Sequence, residues 1–241
     1  FNRVGSGRAQ RRLSLFDLSR DAGIYTSQVS DQLMAYDPRY SNVLPYGRAT
    51  PNRRGVRLDA DYAPVDGAIA ASVGLDLLTE IRGQGTTELK DFVRLRASAD
   101  VPVGRLAGLD RMIGLTFGTQ VENTSRGGNE FEVVDLTSVL LEAGLAAEVY
   151  DRLDVLLGAT IRTSDGRDYV PQIADFNVVR DFPAPFVTND SESLLGAGLR
   201  YRFKEDVYLT VQVQRFSYGR DATPDADYDL GQVFALYSMS F

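Results

Sequence analysis

Residues 69–82 read IAASVGLDLLTEIR, and they alternate. Ile69, Ala71, Val73, Leu75, Leu77 and Ile81 fall on one side of an extended chain. Ala70, Ser72, Gly74, Asp76, Glu80 and Arg82 fall on the other. A side-chain period of two is the strand period. On a helix, Asp76 would sit beside Leu75 and Leu77 and no coherent apolar stripe would form.

The same alternation recurs on both sides of this stretch. Upstream, Val56, Leu58, Ala60 and Tyr62 share a face. Downstream, Val93 to Val101, Ile113 to Val121 and Val139 to Val149 each place apolar residues at odd positions. So do Val155 to Ile161, Leu195 to Phe203, Val207 to Val213 and Val233 to Phe241. About nine strands result. The runs are about 9–14 residues long, against about 5–6 for ordinary strands and about 9–11 for a tilted strand crossing a bilayer. The second face is rich in Gly, Ser and Thr and carries charges of both signs. That composition suits a crowded polar lumen better than a solvated surface, which would carry more Lys and Glu.

Bulk composition narrows the classes further. The chain has 241 residues, 44% hydrophobic and 24% charged, with a formal net charge of −7. That is enough for one large β-domain. An acidic chain is a poor partner for nucleic acid, whose backbone demands a concentrated basic face. There is no Cys and no His. Thiolate metal sites, disulfides and every Ser-His or Cys-His nucleophile are therefore excluded. No stretch is long and apolar enough for a transmembrane helix, and the opening residues FNRVGSGRAQ show no Met and no apolar run of a signal peptide.

Joins between the runs differ in length. Asp151-Arg152 and Lys204-Glu205-Asp206 are very short, and 64–67 is compact. Residues 164–191 and 218–229 are read as long joins, and 123–130 as an intermediate one. Short and long roughly alternate, as do the inner turns and external loops of outer-membrane barrels. The join from Pro102 to Gly108 is the exception, mid-length on the side where short turns are expected. With Phe241 ending the last strand on the inner side, the long joins all lie outside. The strand at Val56 then runs inward, so an even-numbered barrel needs one more strand ahead of it. Leu13 and Leu15, alternating with Ser14 and Phe16, are the candidate. Residues 20–53 would form a long external loop. The expected organisation is an N-terminal segment over 1–53 and strands over 54–241, effectively one domain. The expected fold is an all-β, antiparallel up-and-down transmembrane β-barrel of about 10 strands, or the C-terminal part of a larger barrel.

The last stretch, GQVFALYSMSF, resembles the C-terminal signature of Gram-negative outer-membrane β-barrel proteins. Phe241 is the terminal aromatic, and Met239, Tyr237, Ala235 and Val233 precede it at alternate positions. The resemblance implies an outer-membrane location and recognition of this strand by the barrel-assembly machinery. It covers residues 54–241 as architecture and reaches no subfamily. The implied partners are outer-membrane lipid, that machinery and other envelope proteins. Tyr62, Tyr150, Tyr201, Phe203 and Phe241 would form an aromatic girdle at the inner boundary.

Candidate chemistry is sparse. Arg57, Arg82, Arg94, Arg96, Arg162, Arg200 and Arg202 share the polar face with Asp59, Asp61, Asp76, Glu80, Asp100, Glu142 and Glu148. Mixed signs point to a salt-bridge network filling the lumen. The sharper alternative is a small-solute channel or transporter with a constriction at Arg94, Arg96, Arg162, Arg200, Arg202 and Glu142. Asp225, Asp227 and Asp229 alternate as calcium ligands can, but the EF-hand pattern is not met, and a solvated acidic loop is the preferred reading. No catalytic set and no cofactor motif emerges. The reading is a non-enzymatic barrel with a structural, anchoring or assembly role and a largely plugged lumen. A soluble β-barrel binding protein is the other alternative.

Overall fold

The computed structural model describes residues 52–64, 69–83, 88–128, 132–170, 184–204, 207–220 and 227–239. Nine strands dominate them: β1 Arg53–Tyr62, β2 Ala70–Glu80, β3 Asp91–Val101, β4 Ile113–Arg126, β5 Val134–Tyr150, β6 Leu153–Val170, β7 Ala184–Lys204, β8 Val207–Arg220 and β9 Tyr228–Met239. They form one sheet in sequence order, with every neighbour antiparallel. A strand runs through each of the alternating stretches, as expected. Among the described residues β1 and β9 do not pair, so the sheet has two edges. Both edges run in the same direction, because eight successive reversals separate them. The candidate strand at Leu13–Phe16 and the terminal Phe241 lie outside the described residues.

Three joins are shorter than expected. Pairing continues through Ser164–Val170 against Ala184–Asp190, where a single long loop was expected. It also continues through Asn123–Arg126 of β4, and β8 and β9 extend to Arg220 and Tyr228. On β4 and β6 the physical reason is shared. Beyond Ile161 the apolar side of β6 turns to Thr163, Asp165 and Arg167, so both faces are polar and the period vanishes from the sequence. The join after β3 holds a one-turn helix, α1, at Val103–Leu106. Leu106 N–H donates to the Pro102 carbonyl at 3.0 Å and Leu109 N–H to the Gly104 carbonyl at 2.8 Å. These bonds make the mid-length join compact.

The register is staggered. The pairing row through Tyr62 runs over Ala71, Ala99, Phe117, Ala143, Ala159, Leu195 and Arg215 to Gly231. Tyr62 ends β1, yet Gly231 stands eight residues short of Met239 in β9. The drift is about one residue per strand. With a rise of ~3.3 Å and a spacing of ~4.8 Å, that corresponds to a strand tilt of about 35°.

Glycine is required at Gly166, where β6 extends beyond its apolar portion. Its φ is 125°, and a Cβ there would run into the Asp135 carbonyl oxygen on β5. Gly166→Ala should therefore lose about 1–3 kcal/mol of stability. Urea titration of the two proteins checks this, and coincident midpoints would contradict it.

Candidate functional site

Burial in this sheet is inverted. Large apolar side chains stand in the open: Val73 is 51% exposed, Leu95 49%, Phe117 50%, Leu157 45% and Val213 57%. On the opposite face Asp76 is 0% exposed, Glu122 3% and Arg94 7%. Asp154, Arg162, Ser164, Asp190, Thr210, Gln212 and Gln214 are buried there too. Soluble domains bury apolar groups and expose charge. Phe92, Val134 and Leu136 are the buried hydrophobic side chains among the described residues. All three lie on the polar face, at the end of the longer joins. Arg53 covers the Phe92 ring there at 3.7 Å.

The polar face is built by register. Arg57, Asp76, Arg94 and Glu122 are successive partners in one pairing row across β1–β4. Arg57 Nε donates to Asp76 Oδ1 at 2.5 Å, and Arg94 Nε donates to Asp76 Oδ2 at 2.8 Å. Arg94 also lies 4.0 Å from Glu122, which accepts from Gln120 Nε2 at 3.0 Å. The row continues through Ser138, Ser164 and Asp190. In the next row Arg96 reaches across the β2 strand to pair with Asp59. Gly74 is the residue beneath, and a Cβ on it would strike the Arg96 side chain. Gly118 beneath Glu142 and Gly198 beside Gln212 repeat the arrangement. Long polar side chains thus lie flat over glycines of the neighbouring strand.

A second network spans β5–β8. Arg200 Nε donates to Asp154 at 2.8 Å, while Arg202 Nη2 donates to Glu148 at 2.8 Å and to Asp154 at 3.2 Å. Arg200 also lies 5.9 Å from the Tyr208 ring centroid. Nearby, Arg162 Nε donates to Glu192 at 3.1 Å and Nη1 to Ser164 Oγ at 2.6 Å, and Ser164 meets Ser138 at 2.7 Å.

The six expected constriction residues therefore share a face but do not converge. Arg94, Arg96, Arg162, Arg200 and Arg202 are each held by a carboxylate. Glu142 differs: among the described residues it makes no ion pair or hydrogen bond, and the same holds for Asp61 and Asp100. Glu192 lies just past the join read over 164–191, Asp190 lies within it, and neither they nor Glu122 and Asp154 stood out from the sequence. Their parity with the arginines was the available signal. Of the acidic loop, Asp225 lies outside the described residues. Asp229 belongs to β9 and pairs with Arg215 at 3.0 Å on the apolar side. No group of three potential metal ligands occurs among the described residues.

The apolar face has a consistent height. Measured from the strand ends beside the short joins, it stays apolar and then turns polar. The first breaks are Arg54 on β1, Asp91 on β3, Asn123 on β4, Thr163 on β6, Ser193 on β7 and Arg215 on β8. Thr119 is an isolated earlier hydroxyl, and on β2 Thr79, paired with Arg54 and Asp91, is the first polar residue of this side, ahead of Ile81. Strand lengths range from 10 residues in β1 to 21 in β7. The apolar stretch nonetheless runs only eight to eleven residues on these strands, and ten residues at ~3.3 Å each and a tilt of about 35° give a height of about 27 Å. Aromatics gather at its short-join edge: Tyr62, Tyr150, Tyr201 and Phe203 are all exposed there, with Tyr201 and Phe203 edge to face at 5.0 Å.

Comparison of the chain with protein-family models, with curated proteins and with solved structures yields no match.

Proposed function

We propose that this chain forms the wall of a transmembrane β-barrel in the outer membrane of a Gram-negative-type cell, with a structural, anchoring or assembly role and no catalytic one. The observation that carries the reading is the inverted burial, confined to a belt of uniform height. About 27 Å of apolar wall approximates the ~25 Å apolar band of outer-membrane barrels. Exposed leucines and valines over most of a sheet face would be an aggregation liability in water and are the expected surface against acyl chains. The tilt of about 35° falls within the range that barrel closure requires. The two free edges running in the same direction fit a wall that needs one further strand, or a further odd number of strands, to close antiparallel. The terminal signature supports insertion through the barrel-assembly machinery.

The paired charges favour a lumen packed for stability. Charges taken out of water are tolerated where each has a partner, and Arg57, Arg94, Arg96, Arg162, Arg200 and Arg202 have theirs. An Arg-lined pathway for anions would need guanidinium groups free to face a solute. Planar-bilayer recording on detergent-folded protein tests the role. The expected result is an absence of discrete openings. Reproducible unitary conductance would replace the structural role with transport.

A further inference from the structure

The polar face is not polar throughout. Leu194, Phe216 and Leu230 are successive partners in one pairing row across β7–β9, on the same side as the buried charges. In the adjacent row Tyr228 stacks on Tyr218, ring centroids 5.3 Å apart. Strand β9 is thus apolar on both sides, since Val233 and Tyr237 stand 72% and 59% exposed on the outer one. Followed the other way, the first row passes Thr160 and Glu142, then Gly118, Ser98, Ser72 and Asp61. The Thr160 hydroxyl is buried and has no hydrogen-bond partner among the described residues. One side of this surface offers apolar contact. The other offers carboxylates that are unpaired among the described residues, above a floor of small residues.

Residues 8–18, RAQRRLSLFDL, carry the complementary chemistry in the same order. Arg8, Arg11 and Arg12 come first, and Leu13, Leu15, Phe16 and Leu18 follow. Residues 1–51 hold seven arginines against four aspartates in a chain that is acidic overall. The intervening residues also suffice for the distance, since an extended chain covers ~3.3–3.6 Å per residue. They enter the sheet at Arg53, on the end where Tyr218 and Tyr228 lie.

We propose that residues 8–18 dock on this inner face, the arginines over Glu142 and Asp61 and the leucines against Leu194 and Phe216. The inference rests on the barrel reading, which places this face inside. A flat apolar strip within a polar lumen gains from cover, and free carboxylates gain from guanidinium partners.

The chain has no Cys, so engineered pairs report without background. Full-length protein carrying Leu15→Cys with Leu194→Cys is folded in detergent and oxidised. Phe216→Cys replaces Leu194→Cys should that position fail to fold. The expected result is an intramolecular disulfide, lost when Arg8, Arg11 and Arg12 are replaced by Glu. A disulfide from Leu15→Cys to Leu236→Cys on β9, with none to β7 or β8, would place the segment as a strand beside β9 and overturn the proposal. So would the absence of any disulfide. Retention of the gel shift between unboiled and boiled protein in every variant shows that the sheet is intact. Loss of that shift in the unsubstituted protein would instead count against the barrel reading.

Discussion

Asp76→Ala should be among the most damaging single substitutions in the sheet, costing about 3–5 kcal/mol. Asp76 is fully buried and accepts from both Arg57 and Arg94. Removing it leaves Arg94, itself 7% exposed, with only the more distant Glu122 for compensation. A charge stranded in that way carries its desolvation penalty with little in return. The control is Asp59→Ala. Its pair with Arg96 is formed by side chains 35% and 38% exposed, so water can replace the lost partner and about 0–1 kcal/mol is expected. Urea unfolding of the three proteins in the same detergent checks the contrast. Equal losses would mean that burial on the polar face does not set the energetics.

The second large effect is on the other face, and it depends on height. Leu157 lies near the middle of the apolar stretch of β6, and Thr163 marks its upper edge. Leu157→Arg should cost about 2–4 kcal/mol and Thr163→Arg about 0–1, because the penalty for an outward charge peaks at the bilayer midplane. In a water-facing sheet neither should matter much, since Leu157 is already 45% exposed. Refolding equilibria in lipid vesicles separate the cases. Indifference at both positions would exclude lipid from that face.

The fold was legible wherever one face was apolar. Residues 69–82 and the other belt segments carry their period openly, and a strand runs through each. It was illegible above the belt. Asp165 and Arg167 outward, with Ser164 and Gly166 inward, give no contrast between faces, although β6 continues to Val170. Backbone pairing there comes from the neighbouring strand, which a linear reading does not include. The polar network was half legible. Parity placed Arg94, Arg96, Arg200 and Arg202 on one face, but their partners depend on register. Asp59 meets Arg96 only because Gly74 lies between them, on a strand paired with both. Apolar residues within the polar face, such as Phe234 and Leu236, interrupt the alternation of β9.

The central claim is that the apolar face meets lipid. The chain contains no Trp, so one introduced indole reports alone. Leu157→Trp faces outward and Thr160→Trp inward, three residues apart on the same strand. Each protein is folded into vesicles whose acyl chains carry bromine, and its fluorescence is compared with that in plain vesicles. The account predicts a blue-shifted, strongly quenched indole at 157 and a weakly quenched one at 160. Strong quenching at 160 with none at 157, or no quenching at either, would contradict it.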